Sequence, residues 1–326
     1  MVAKAQHTVP RLHLQHFAGV KPEGQVWTYD SQSGRNWSKI PEETGTETHF
    51  YSLQREDGTH DTRIEDMLSA IESRAAPVYE GLLNGVIPKP NTQARVYFAE
   101  FVAMLYARTS AMRRINAEVY SHGIQAQSYA YAENARAFDK LIRDIEKDRG
   151  ESITPEVKEQ IRRSMLDPSG NEIEIPKRLT LNALGVADKL SPIFYNMKWS
   201  LALPEEGFFI TSDNPVVRQV DPATRHPVMG DGGFMNMTAE VSFPLSTRLM
   251  LITSWDKAAR DFGLFEKAHV DGLNEIRAAS ADRFLYAHVN ASWITDLAVK
   301  YKDSRPAVNF GGFGPEKTAT TKVGRK

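Results

Sequence analysis

The hydrophobic period of this chain changes twice, and that order constrains the fold more than any single motif does. From Gln25 to about Leu53 the sequence is short and β-like: QVWTYD, a turn at Ser31 to Gly34, NWSKI, then HFYSL. Bulky β-formers on both sides of a Ser/Gly turn predict a hairpin, with Trp27 and Tyr29 on one face by the period of two. The middle reads as helices, beginning where Ile64, Met67, Leu68 and Ile71 recur at helical spacing. After Pro88 and Pro90, with Asn91 or Thr92 as cap, Val96, Phe98, Phe101, Val102, Leu105 and Tyr106 give an apolar surface that should be largely buried. ENARAFDKLIRDIEKDRG is a charged amphipathic helix, and Thr154 before Pro155 opens another.

From Gly207 the β pattern returns as FFITSD, VVRQV, AEVSFPLS and RLMLITSW, expected to pair in one antiparallel sheet. A helix around Val270 to Ala287 and a strand near Ala287 to Ile294 should follow. Because strands and helices do not alternate, the expected class is α+β: an N-terminal β-hairpin and a C-terminal antiparallel sheet packed against a large central helical region. The expected organisation is a single domain over 1–302, β-rich at 7–53, helical at 62–200, β-rich at 207–255, with a helix and strand over 257–302. Residues 303–326 have almost no large apolar side chain after Phe313 and read as a flexible tail. Deleting 315–326 should then leave the thermal midpoint nearly unchanged.

Composition removes function classes. With no cysteine, a disulfide scaffold, a thiolate nucleophile and a cysteine-ligated metal are excluded. No run approaches the roughly 18 apolar residues of a membrane span, and the first residues lack a signal-peptide core, so no membrane partner and a cytoplasmic location are expected. The 41 acidic and 40 basic side chains nearly cancel; partners stay unknown, and nucleic acid is admitted but not indicated by net charge. GxxxxGK[ST], GxSxG and HExxH are absent.

Four local texts could carry chemistry. His7-Thr8-Val9-Pro10-Arg11 continues to His13, His16 and Phe17. His7 is a candidate proton-transfer group and His13 with His16 candidate metal ligands, unless the three belong to a turn where they cap backbone carbonyls or lie on the surface. Asp213 and Asn214 close a strong apolar strand, where a carboxylate suits a base or metal ligand, or one of the two forms an Asx turn before Pro215. Glu240 interrupts a strand, facing either solvent opposite Val241 or Asp213. Arg108 extends the buried stripe of its helix and needs an acidic partner, Glu72 first, unless it binds an anion.

These texts in this order resemble the bacterial family of proteins of unknown function numbered 4238. The resemblance rests on HTVPRLHLQHF, VWTYD with its Ser/Gly/Arg turn, Ile71-Glu72, the helix ending in ARTS, FFITSDNPVV and EVSFPLS. It covers roughly residues 7 to 290. It implies His7, Pro10, Phe17, Glu72, Arg108, Asp213, Asn214 and Glu240 as the notable positions, and supplies no activity. Where members often have PLSP, this chain has Pro244-Leu245-Ser246-Thr247.

Two readings follow. In the first the protein is a hydrolase, a metal-dependent, nuclease-like phosphodiesterase. His7, Glu72, Asp213 and Glu240 are then catalytic, Arg108 and Asn214 bind substrate, and Asp213 with Glu240 holds Mg²⁺ or Mn²⁺. On that reading Asp213→Asn should barely change stability. In the second the protein is a binding or regulatory protein without catalysis, and the same polar motifs are structural.

Overall fold

A computed structural model describes residues 5–19, 24–55, 57, 59–226, 230–304 and 318–323. The chain opens with β1 (Ala5–His7), the single turn α1 (Arg11–Leu14) and the expected hairpin, β2 (Val26–Asp30) with β3 (Asn36–Lys39). Gly34 turns that hairpin at φ 66°, a conformation glycine adopts without penalty. β4 (Thr46–Thr48) pairs with β1, and β5 (Leu53–Gln54) with β6 (His60–Asp61).

The helices α2 (Arg63–Leu83), α3 (Gln93–Ala107), α4 (Ser110–Glu133), α5 (Ala135–Arg149) and α6 (Pro155–Leu166) fill the middle. Thr92, Asn134 and Thr154 cap α3, α5 and α6 by accepting the amides of Arg95, Ala137 and Val157. There follow β7 (Glu172–Ile175), α7 (Lys177–Thr180), α8 (Val186–Asn196), β8 (Lys198–Pro204), β9 (Thr211–Ser212) and β10 (Val217–Gln219). The chain continues with β11 (Glu240–Ser246), β12 (Leu249–Ser254), β13 (Phe262–Phe265), α9 (Lys267–Ser280), β14 (Phe284–Ala287), α10 (Ser292–Lys300) and β15 (Thr320–Val323).

The class is α+β. Where the sequence reads as one domain, the chain divides into two compact units: Met1–Arg113 with Asn182–Pro306, and Arg114–Leu181 with Ala307–Lys326. The second unit has apolar residues of its own to bury, among them Ala117, Ala132, Phe138, Ile142 and Ile175. In it β15 runs parallel to β7, and the amide of Ala319 reaches Gln125 Oε1 at 2.8 Å in a buried bond. The expected tail therefore contains an ordered strand, held by backbone pairing that an apolar count cannot register; 305–317 and 324–326 lie outside the described residues. Deleting 318–326 should lower the stability of this unit by about 1–3 kcal/mol, since Gln125 Oε1 loses its partner. Amide exchange in β7 reads this directly, and unchanged protection there would restore the dispensable tail.

The first unit holds two larger sheets. One has the order β10-β11-β12-β8-β13, antiparallel except for β13 beside β8. The other has the order β3-β2-β14-β9 and is antiparallel throughout. The expectation of one sheet for the C-terminal strands is thus corrected. The side chain of Asn274 on α9 accepts from the Ile210 amide and donates to the Phe208 carbonyl, and Thr211–Ser212 pairs with β14 instead. The strand expected near Ala287 to Ile294 ends at Ala287, and Ile294, Leu297 and Ala298 lie on helix α10 with a buried helical stripe.

The four-stranded sheet separates two environments by the alternation of its side chains. On one face Tyr29, Leu285 and Ala287 pack with Ala278, Ile294 and Leu297 into a continuous core. On the other, Val26 and Tyr286 pack with Val9 and Leu14. The aromatic stripe of α3 is buried as expected: Phe98 and Phe101 meet Tyr79 and Phe243, and Phe98 also meets Trp199.

Candidate functional site

Arg108, the C-terminal cap of α3, is 5% exposed. Its Nη1 donates to Glu72 Oε1 on α2 at 2.5 Å, Nη2 to the His7 carbonyl of β1 at 2.5 Å, and Nε to the Tyr51 hydroxyl at 3.1 Å. Tyr51 passes its proton to the Arg108 carbonyl at 3.0 Å. All three guanidinium nitrogens are therefore engaged within the protein, and Arg108 fastens β1 to two helices rather than waiting for an anion. The His7 ring lies 3.3 Å from the Pro41 carbonyl. Burial lowers its pKa, with Arg108 adding to that, so near neutral pH the uncharged ring donates to Pro41.

Pro10 accepts the amides of His13 and Leu14 and so starts α1, which turns His13 inward. His13 is fully buried, stacked on Phe243 with ring centroids 5.0 Å apart. Tyr79 donates its single proton to the Leu245 carbonyl at 2.7 Å, so it must accept from His13 Nδ1 at 3.0 Å. His13 Nε2 then accepts from the Thr211 hydroxyl at 2.8 Å. Burial pushes the His13 pKa well down. The sequence alternatives for His13, metal ligand, cap of a backbone carbonyl or surface residue, give way to a neutral core histidine bonded to two side chains.

Neither Asp213 nor Asn214 makes the local turn that was one alternative for the pair. Ser212 does, its hydroxyl accepting from the Asn214 amide at 3.2 Å. Asp213 instead accepts three distant amides: Asp282 on Oδ1 at 2.8 Å, and Arg283 and Phe284 on Oδ2 at 2.7 and 2.9 Å. Burial drives its pKa up to about 7 against these bonds, with Asp282 pushing the same way. The same loop is gripped from the other side, because the Arg283 guanidinium clasps Asp30 through two bonds of 2.9 and 2.7 Å. Asp30 is held well below the usual carboxylate range. Asn214 donates to the Ser280 carbonyl at 2.9 Å.

Above this loop lies a cavity of about 610 Å³ on the Val26–Tyr286 face of the four-stranded sheet. Trp37, Thr28 and Tyr286 form its floor, directly opposite one another across β3, β2 and β14. Thr8, Thr46 and Glu47 from β1, β4 and their junctions line one side, Asp213 and Arg283 the other. Tyr286 is 1% exposed, yet its hydroxyl has no hydrogen bond among the described residues. Burial raises its pKa well above the usual value, with Asp213 and Glu47 adding to the shift by their charge.

Glu240 lies elsewhere. It opens β11 opposite Gln219 and Ser254, exposed where Val241 is buried, and lines a separate cavity of about 770 Å³ on the five-stranded sheet. The sequence-predicted residues thus form three groups: His7, Glu72 and Arg108 meet; Asp213 and Asn214 hold a loop; Glu240 stands alone. Among the described residues no group of three or more His, Asp or Glu side chains is arranged to hold a metal ion.

A family model for a protein of unknown function, DUF4238, matches residues 5–290. The chain belongs to the DUF4238 family. No curated protein and no solved structure matches it significantly. In this DUF4238 chain the HTVPR, ARTS and TSDN texts supply walls and fastenings, while the cavity floor comes from Thr28, Trp37 and Tyr286, which the sequence reading did not single out. Their only sequence signal was alternation within short strands, which marks a face without saying whether that face is filled. No helix among the described residues is long and apolar enough to cross a membrane.

Proposed function

We propose that this DUF4238 protein binds a small polar molecule in the cavity over Thr28, Trp37 and Tyr286, and that Arg108, Glu72 and Asp213 build that cavity rather than react in it. The observation that carries the reading is the Tyr286 hydroxyl: a residue 1% exposed that directs a polar group without a protein partner to a cavity lined by Asp213 and Glu47. Buried polar groups are nearly always paired, and one left open at a cavity awaits a ligand or water. A metal-dependent phosphodiesterase would need Asp213 and Glu240 on one cation, whereas they line different cavities. Binding is the reading this arrangement favours.

The test contrasts two buried tyrosines. Tyr79→Phe removes a hydroxyl that serves both Leu245 and His13, and should cost about 1–3 kcal/mol in chemical unfolding. Tyr286→Phe removes a hydroxyl that serves nothing in the protein, and should leave stability unchanged or raise it by up to ~1 kcal/mol, as at sites where function is favoured over stability. A Tyr286→Phe loss as large as that of Tyr79→Phe would reveal a structural partner and remove the basis of the proposal.

A further inference from the structure

Resting on the cavity reading above, we infer that the ligand is a neutral polyhydroxylated molecule of the sugar class. The charges around the cavity are answered from within. Arg283 is clasped by Asp30 through Nε and Nη2, and Lys39 lies 3.7 Å from Glu43, so each cation already has a carboxylate beside it that a phosphate or carboxylate ligand would have to compete with. Glu47 accepts from Ser110 at 2.7 Å and has the Arg113 charge near it, which weakens its pull on an organic cation.

What the cavity leaves open is hydrogen-bonding capacity of both signs beside an aromatic surface. Thr28 and Tyr286 are direct cross-strand partners, 4% and 1% exposed, and neither hydroxyl has a bond among the described residues. Each can donate and accept. Asp213 Oδ1 takes one amide where Oδ2 takes two, so it retains further hydrogen-bonding capacity, as a donor when the carboxyl holds its proton and as an acceptor when it is ionised. Trp37 is directly opposite Thr28 on the next strand, 37% exposed, with Phe284 edge-on to it at 6.1 Å.

A sugar presents hydroxyls that must both give and receive bonds, and a C–H face that must leave water against something apolar. Trp37, Thr28 and Tyr286 in one row, about 10 Å across at the usual strand spacing, meet both needs at once. A ligand that can neither donate nor accept would leave both hydroxyls unmatched, which a site built this way discriminates against.

Saturation-transfer NMR of the full chain with glucose, N-acetylglucosamine and ribose tests the assignment, with methyl phosphate and putrescine, both of which carry C–H protons, as probes of the other charge classes. The expected result is transfer to at least one sugar, absent in Trp37→Ala and with affinity reduced about tenfold in Tyr286→Phe. Transfer to methyl phosphate or putrescine with the same dependence on Trp37 and Tyr286 would overturn the sugar class while leaving the cavity as a binding site. No sugar signal dependent on Trp37 would overturn it too, and the Tyr79→Phe and Tyr286→Phe stability comparison then decides separately whether the cavity reading survives.

Discussion

Replacing Glu72 with Gln should cost about 3 kcal/mol, because it leaves the Arg108 guanidinium at 5% exposure without a countercharge. The figure is at the low end for a broken buried pair, since the Glu72 side chain is 26% exposed and water reaches the vacated side. Tyr51 and the His7 carbonyl remain as neutral acceptors and cannot replace a carboxylate. Arg108→Met should also destabilise, by releasing the His7 carbonyl that it holds. Combining Arg108→Met with Glu72→Gln should recover part of the loss, because no charge then remains in the interior to go unanswered. Urea unfolding of the four proteins gives the coupling. Two mild, additive single losses would show that the pair contributes little and that β1 is held by something else.

Asp213→Asn should cost about 3 kcal/mol, contrary to the mild effect expected from sequence. An Asx turn tolerates Asn, but here each carboxylate oxygen accepts at least one backbone amide, so in either amide orientation the Asn NH₂ group confronts an N–H donor. The loss should depend on pH. Asp213 keeps its proton in the folded chain up to about 7, whereas the ordinary value is 3.8. Between those values the folded state binds the extra proton, so its stabilising contribution is complete below the lower one and falls as pH rises through the window. The histidines His7, His13 and His16, whose pKa values burial lowers, act in the opposite sense. The difference between wild type and Asp213→Asn isolates the carboxyl group. That difference should be larger at pH 5 than at pH 8, and an equal difference at both would rule out a raised folded-state value.

Local physics was legible in the sequence. Thr92 and Thr154 announced helix starts because a hydroxyl accepts an amide three residues on. The Ser31–Gly34 turn fixed a hairpin, and the stripe of α3 predicted its burial. Arg108 with Glu72 was legible for a similar reason, since a charge on an apolar face implies a partner. The rest depended on distance along the chain. Asp213 looks like a turn residue from its neighbours, and its real partners lie 69 to 71 positions away. Glu240 opens one strand and Asp213 directly follows another, and the two strands join different sheets. Arg95 and Arg277 went unnoticed because they bind backbone carbonyls, of Tyr195 and Met197 and of Pro215 and Ser242, which leave no mark in side-chain identity.

The order of the four-stranded sheet has a consequence for how the protein is made. β2 is synthesised near the start of the chain, but its inner neighbour β14 follows more than 250 positions later. Until then the β2 edge of the β2–β3 hairpin stays open, and a two-stranded ribbon alone is marginal in water. A ribosome 250 residues past β2 has therefore not yet produced the row Trp37, Thr28, Tyr286 as a surface. This unit should mature late, at the slow pace of non-local pairing. Nascent chains stalled before Phe284 carry that unpaired edge and become clients for chaperones.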